Sequence, residues 1–265
     1  MPLKLNYLAH LAADSTRFAD ALAEVPPGTS VPSCPGWDAA DLIWHLGEVQ
    51  WFWSTIVSER ASSPEELTAA NPVRPKEHDA LRSFGRQSSR DLLDTLIQTA
   101  PDTVAWTWSA EQTVAFTYRR QAHEALIHRV DAELVAGDRT RINPVLAADG
   151  VDEILRIMFD SGPLGTTLTL DPQQTLRVSC TDADDRWLLT LGHYAGTSPK
   201  GESLGGPSLK VAEIDSGERT AASVQGKAAD LDCWLWGRPP EGQVDFIGDP
   251  PTLAAFQATV AGGVH

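Results

Sequence analysis

The periodicity of the chain changes once, at Asn143-Pro144, and this change constrains the fold more than any other feature. Before it, apolar residues recur at helical spacing; after it, short alternating runs are divided by turn residues. A helix groups side chains every 3.6 residues and a strand every two, so the two halves have to bury their apolar faces in different architectures. The pattern predicts an α+β chain, with a four-helix bundle over 1–142 and a smaller mixed α+β domain over 143–265.

Within the first half, helices are expected over 3–24, 39–58, 77–99 and 117–136. The first two are separated by VPPGTSVPSCPGW, with four prolines and two glycines. Asp38 is a plausible N-cap for the second helix, with Asp41 at the third position in a weaker relative of the capping box. The third helix places Leu81, Phe84, Leu92, Leu93, Leu96 and Ile97 inward, and Gly137 is a natural stop for the fourth. Residues 62–76 read as a loop, and 103–117 as an irregular connection or short hairpin. In the second half a helix is expected at 146–160, and LGTTLTLDP, TLRVSC, RWLLTLGHYAG, LKVAEI and ERTAASVQG read as strands. Helices at KAADLDCWLWGR and 251–261 complete the pattern.

Charge excludes whole classes of partner. The formal net charge is −15, from 36 acidic and 21 basic residues. Such a balance repels phosphate backbones and argues against nucleic acid or an anionic membrane as partner. The apolar runs are too short and too interrupted to cross a bilayer. The N-terminus has neither a long apolar core nor a small-residue cleavage site, and reads as a first helix. Three widely spaced cysteines, Cys34, Cys180 and Cys233, lack metal-ligand or disulfide-framework spacing and fit a reducing cytoplasm. Cys34 has a second reading, as a reactive thiol near a pocket. Oligomeric state is not legible.

Glu124 and His128 lie four apart on the expected fourth helix, one turn above each other. A carboxylate and an imidazole so placed are good ligands for a divalent ion, and mid-helix His45 is the candidate third. Three protein ligands leave a position open for water or substrate. Spacing alone favours a solvated pair for Glu124 and His128, and a hydrogen-bonded core residue for His45, over ligation. His123 points about 100° away from the Glu124–His128 line. The face formed by Thr117, Gln121, Glu124, His128, Asp131 and Val135 is polar for a bundle interior and equally suits an outer surface. Asp131 either orients His128 or covers a surface with Arg129, the surface reading being preferred. Trp37 and Trp44 either wall a pocket or belong to the core, and His193 reads as structural. No P-loop, G-x-S-x-G, paired-carboxylate or dinucleotide pattern is present.

Three segments resemble one family. VPSCPGWDAADLIWHLGEVQWFW, HEALIHRVDAELVAG and ADLDCWLWGRPP are similar to motifs of the mycothiol-dependent maleylpyruvate isomerase family, near the start, middle and end of the chain. The resemblance implies a DinB-like four-helix bundle in which His45, Glu124 and His128 hold a divalent metal, typically zinc. It also implies mycothiol as a second cofactor, bound to that metal as a thiolate. In the isomerase the thiolate adds to the double bond of maleylpyruvate, rotation follows about the resulting single bond, and the thiol leaves. Arg238 corresponds to the family's late arginine and would pair a carboxylate of thiol or substrate; a salt bridge at a helix end is its bland alternative. Trp37 would line the cofactor pocket. The segment 160–220 matches no motif of the family. The implied function is a zinc-dependent enzyme that uses mycothiol, or a related low-molecular-weight thiol, on a small electrophile, an isomerase by default. The alternatives are a mycothiol S-transferase, in detoxification or biosynthesis, and a non-catalytic metal or small-molecule binding module.

Overall fold

A computed structural model describes residues 5–160, 165–198, 201–213 and 217–263. The chain forms two compact units, Met1–Thr140 and Arg141–His265. Helices in the first and a sheet with helices in the second give the α+β class that the change of period implies. Positions 3–4, 164 and 214, at the ends of three expected elements, lie outside the described residues.

The first unit is built from α1 (Tyr7–Ala21), α2 (Ala39–Glu59), α3 (His78–Gln98) and α4 (Val114–Ala136), with one short 3-10 turn at Pro64–Glu66. α1 packs chiefly on α4, and α2 on α3. Phe18, Leu22, Leu42, Ile43, Leu46, Leu81 and Ala132 form a shared core. Asp38 and Asp41 make a complete capping box: Asp38 Oδ1 accepts from Asp41 N at 2.8 Å, and Asp41 Oδ2 accepts from Asp38 N at 3.1 Å. This satisfies two backbone donors at the helix start and so fixes the phase of α2. α4 starts three residues earlier than its pattern suggests, because Phe116 is anchored by Trp53 (ring centroids 6.0 Å) and Trp108 (5.1 Å). The 103–114 connection is a short hairpin, closed by the Val104–Thr113 bridge. Ile97, expected inside, is 60% exposed, since α3 buries only the line Leu81, Ser88, Leu92 and Leu96.

In the second unit α5 (Pro144–Glu153) runs on as a π-helical turn, Ile154–Phe159. Then follow β1 (Thr166–Cys180), β2 (Arg186–Thr197), β3 (Ser203–Val211), β4 (Ala222–Gly226), α6 (Ala228–Leu235), β5 (Val244–Gly248) and α7 (Pro250–Ala261). The sheet order is β3-β2-β1-β4-β5, with β1 and β4 parallel and the other pairs antiparallel. Two expected strands are one: β1 continues through Asp171-Pro172 with a register shift between Leu170 and Thr175. Proline lacks the donor a regular ladder needs, so the interruption is a bulge instead of a strand end. Leu176, Val178, Trp187, Leu189, Leu191, Leu209, Val211 and Val224 line one face with strand alternation, under Ile154, Leu155, Leu231, Leu235 and Phe256. β5 had no counterpart in the sequence reading. Among the described residues, no helix is long and apolar enough to cross a membrane.

Candidate metal centre

The proline-rich link before α2 is ordered by its own backbone. Cys34 N donates to Val31 O (3.2 Å), Trp37 N to Cys34 O (3.0 Å) and Val31 N to Trp37 O (3.0 Å). Pro35 followed by Gly36 at φ +85° is the pairing of a type II turn, whose third position requires positive φ. The turn delivers the Trp37 ring to 4.7 Å from the His45 ring and, nearly parallel, 6.4 Å from that of His128. Trp44, one residue from His45, is turned away and stacks on Phe84 at 5.1 Å, so it belongs to the packing between α2 and α3.

α2 and α4 lie side by side and bring His45 opposite Glu124 and His128. Glu124 Oε1 sits 3.3 Å from His45 Nε2 and 3.2 Å from His128 Nε2. One ligand atom from each of the three residues falls within 4.8 Å of the others, the one such grouping of His, Cys, Asp and Glu among the described residues. Exposure is graded: the His45 side chain is 33% accessible, Glu124 17% and His128 9%. The cluster is therefore approached from the His45 side, as a reactive site needs.

The polar face of α4 points inward. Thr117, Gln121 and Asp131 are fully buried. The preference for Asp131 on a surface is thus corrected. Its Oδ2 lies 2.9 Å from His128 Nδ1, its Oδ1 accepts from Ser33 Oγ at 2.5 Å, and Cys34 Sγ is 3.5 Å away. Arg129, its proposed surface companion, instead makes a buried ion pair with Asp14 at 3.0 Å. His123 is buried outside the cluster, its ring edge-on to Tyr7 at 6.3 Å.

Two groups missed in the sequence complete the centre. Arg120, one turn before Glu124, donates from Nη2 to Glu124 Oε2 at 2.9 Å. Its R-x3-E spacing was visible, but spacing does not say that the pair is buried. Ser33 had no signal at all, because nothing in the chain links position 33 to position 131. Arg238 lies in the second unit, just past α6, where its Nη1 donates to Trp236 O at 2.6 Å.

Electrostatics suit a cation. Burial disfavours the Glu124 carboxylate, yet hydrogen bonds from His128 and His45 and the Arg120 charge outweigh it and hold its pKa well below the usual carboxylate range. Burial likewise opposes charge on His128, but bonding to Asp131 and Glu124 prevails and pushes its pKa up to about 9. With Asp131 accepting a hydrogen bond from Nδ1–H, Nε2 faces the cluster, where the charged ring donates to Glu124 Oε1 and the neutral ring offers its lone pair to an ion. Two imidazole nitrogens and one carboxylate oxygen form a donor set that fits a divalent ion with a free position.

Comparisons with known proteins identify the family. Residues 8–133 match the family model "Mycothiol maleylpyruvate isomerase N-terminal domain" and residues 145–255 match the "MDMPI C-terminal domain". Two solved structures share the fold. The mycothiol-dependent maleylpyruvate isomerase is 19% identical with TM-score 0.58, and a histidine-to-alanine mutant of it is 18% identical with TM-score 0.59. Each alignment covers 95% of this chain and 96% of the other. No curated protein sequence matches the chain. With both family domains present in order and the fold shared along nearly the whole length, the chain belongs to the mycothiol maleylpyruvate isomerase family of enzymes.

Proposed function

We propose that this chain is a zinc-dependent enzyme that uses mycothiol to isomerise a small electrophile of the maleylpyruvate type. The observation that carries the reading is the convergence of His45, Glu124 and His128 within 4.8 Å, in a chain of this family. When bound there, a divalent ion supplies the charge that keeps a thiol as thiolate at neutral pH. The residues assigned to the reaction have separable tasks. Asp131 keeps the Nδ1 proton of His128, so that Nε2 faces the centre as an acceptor. Trp37 covers both imidazoles and excludes water from one side. Arg238, with a planar guanidinium suited to carboxylates, binds the carboxylate of thiol or substrate.

The test is a turnover assay on metal-analysed protein with purified mycothiol and maleylpyruvate. The reading requires about one zinc per chain, turnover only when thiol is present, and loss of both zinc and turnover in His45→Ala. Accumulation of a covalent mycothiol adduct, seen by mass spectrometry, would replace isomerisation by transfer. Full zinc content in His45→Ala would overturn the ligand assignment.

A further inference from the structure

The carboxylate of Glu124 is divided between two tasks. Oε1 faces both histidine nitrogens, at 3.3 and 3.2 Å, while Oε2 is engaged by Arg120 Nη2 at 2.9 Å. We infer that Arg120 is a positioning residue that restricts Glu124 to one-oxygen ligation and so keeps a coordination position free for the thiol. The inference rests on the reading that this cluster holds a metal.

Three observations separate this from an ordinary helix ion pair. First, the Arg120 side chain is only 4% exposed. Removing a guanidinium from water costs far more than an exposed (i, i+4) pair returns. Helix stabilisation does not explain its place. Second, Arg120 precedes Glu124, whereas (i, i+4) pairs favour the acid on the N-terminal side. Third, the cluster carries two carboxyl groups, Glu124 and Asp131, and Arg120 places a positive charge directly on the first.

A carboxylate free of Arg120 can close onto the ion with both oxygens and occupy the position the thiol needs. Arg120 therefore acts on metal geometry and thiol affinity through Glu124. Its side chain is fixed for this by the same helix that carries the ligand, so the spacing along α4 sets the register of the clamp.

The experiment loads full-length protein with cobalt(II), whose visible bands weaken as coordination number rises, and titrates it with 2-mercaptoethanol. In the wild type we expect intense four-coordinate bands and a sulfur-to-metal charge-transfer band that saturates with thiol. Arg120→Met is expected to show weaker bands and a thiol titration displaced at least tenfold. Arg120→Lys, which keeps the charge without the planar fork, should fall between the two. Arg120→Met with the wild-type spectrum and titration overturns the proposal. Should Arg120→Met fail to fold, Arg120→Lys decides: identity with wild type in both readouts overturns it, and a weaker spectrum with a displaced titration supports it. A wild type that takes up no cobalt overturns the metal reading, and the proposal with it.

Discussion

Raising the pH should destabilise the metal-free first domain, and the amount follows from His128. Its pKa stands at about 9 in the folded chain against 6.5 for an unperturbed histidine. The charged ring is thus held more tightly in the folded state than in the unfolded one. The resulting stability is complete below pH 6.5 and is lost as pH rises through 9. A displacement of that size corresponds to about 3 kcal/mol at ~1.4 kcal/mol per unit. Since domains unfold at about 5–15 kcal/mol, the change is large enough to see. The assay is urea unfolding in the presence of chelator at pH 6, 7.5 and 9, with the His128 ring titrated by NMR in parallel. The His128→Gln variant cannot charge, so its stability should change by about 3 kcal/mol less over the same interval. Cys180, whose thiol burial and nearby carboxylates push up to about 12, contributes only above pH 9 and stays outside the window. An NMR pKa near 6.5, or equal slopes in wild type and variant, would refute the electrostatic reasoning. A metal reverses the sign, because it requires the neutral ring: zinc affinity should rise with pH until His128 is fully deprotonated.

Other outcomes follow from the same geometry. His45→Ala and His128→Ala should each abolish zinc retention while leaving the far-UV circular dichroism of the bundle in place; elemental analysis after dialysis checks this. Asp131→Asn should lower zinc affinity about 10–100-fold by loosening His128, with Ser33→Ala weaker in the same direction, as read by chelator competition. Arg238→Ala should keep its zinc and raise KM for thiol or substrate, and unchanged steady-state kinetics would remove Arg238 from the site.

Local chemistry made much of the scaffold legible. Period, caps and breakers are properties of neighbouring residues, so the four helices of the bundle, the capping box at Asp38 and the stop at Gly137 could be read within a few positions. Strand alternation located β1 to β4, whereas β5 has only five residues between turn segments and takes its identity from pairing with β4. The three cluster residues were legible as ligand types at suitable spacing, and the resemblance selected them from other histidines and acids.

What the sequence by itself determined is therefore the class of fold, the family and the chemical identity of the cluster. Tertiary structure decided that α4 is enclosed on nearly every side, because its apolar and polar residues are mixed around the helix and no apolar stripe orients it. Packing against α1 and α2 buried Asp131 and Arg120 and turned an apparent surface into the surroundings of the cluster. It also brought Ser33 to Asp131 across 98 positions of chain, a proximity that no spacing rule contains. Helix period relates residues within a turn or two; the groups that orient the ligands come from separate elements, and only the packed bundle sets their distances.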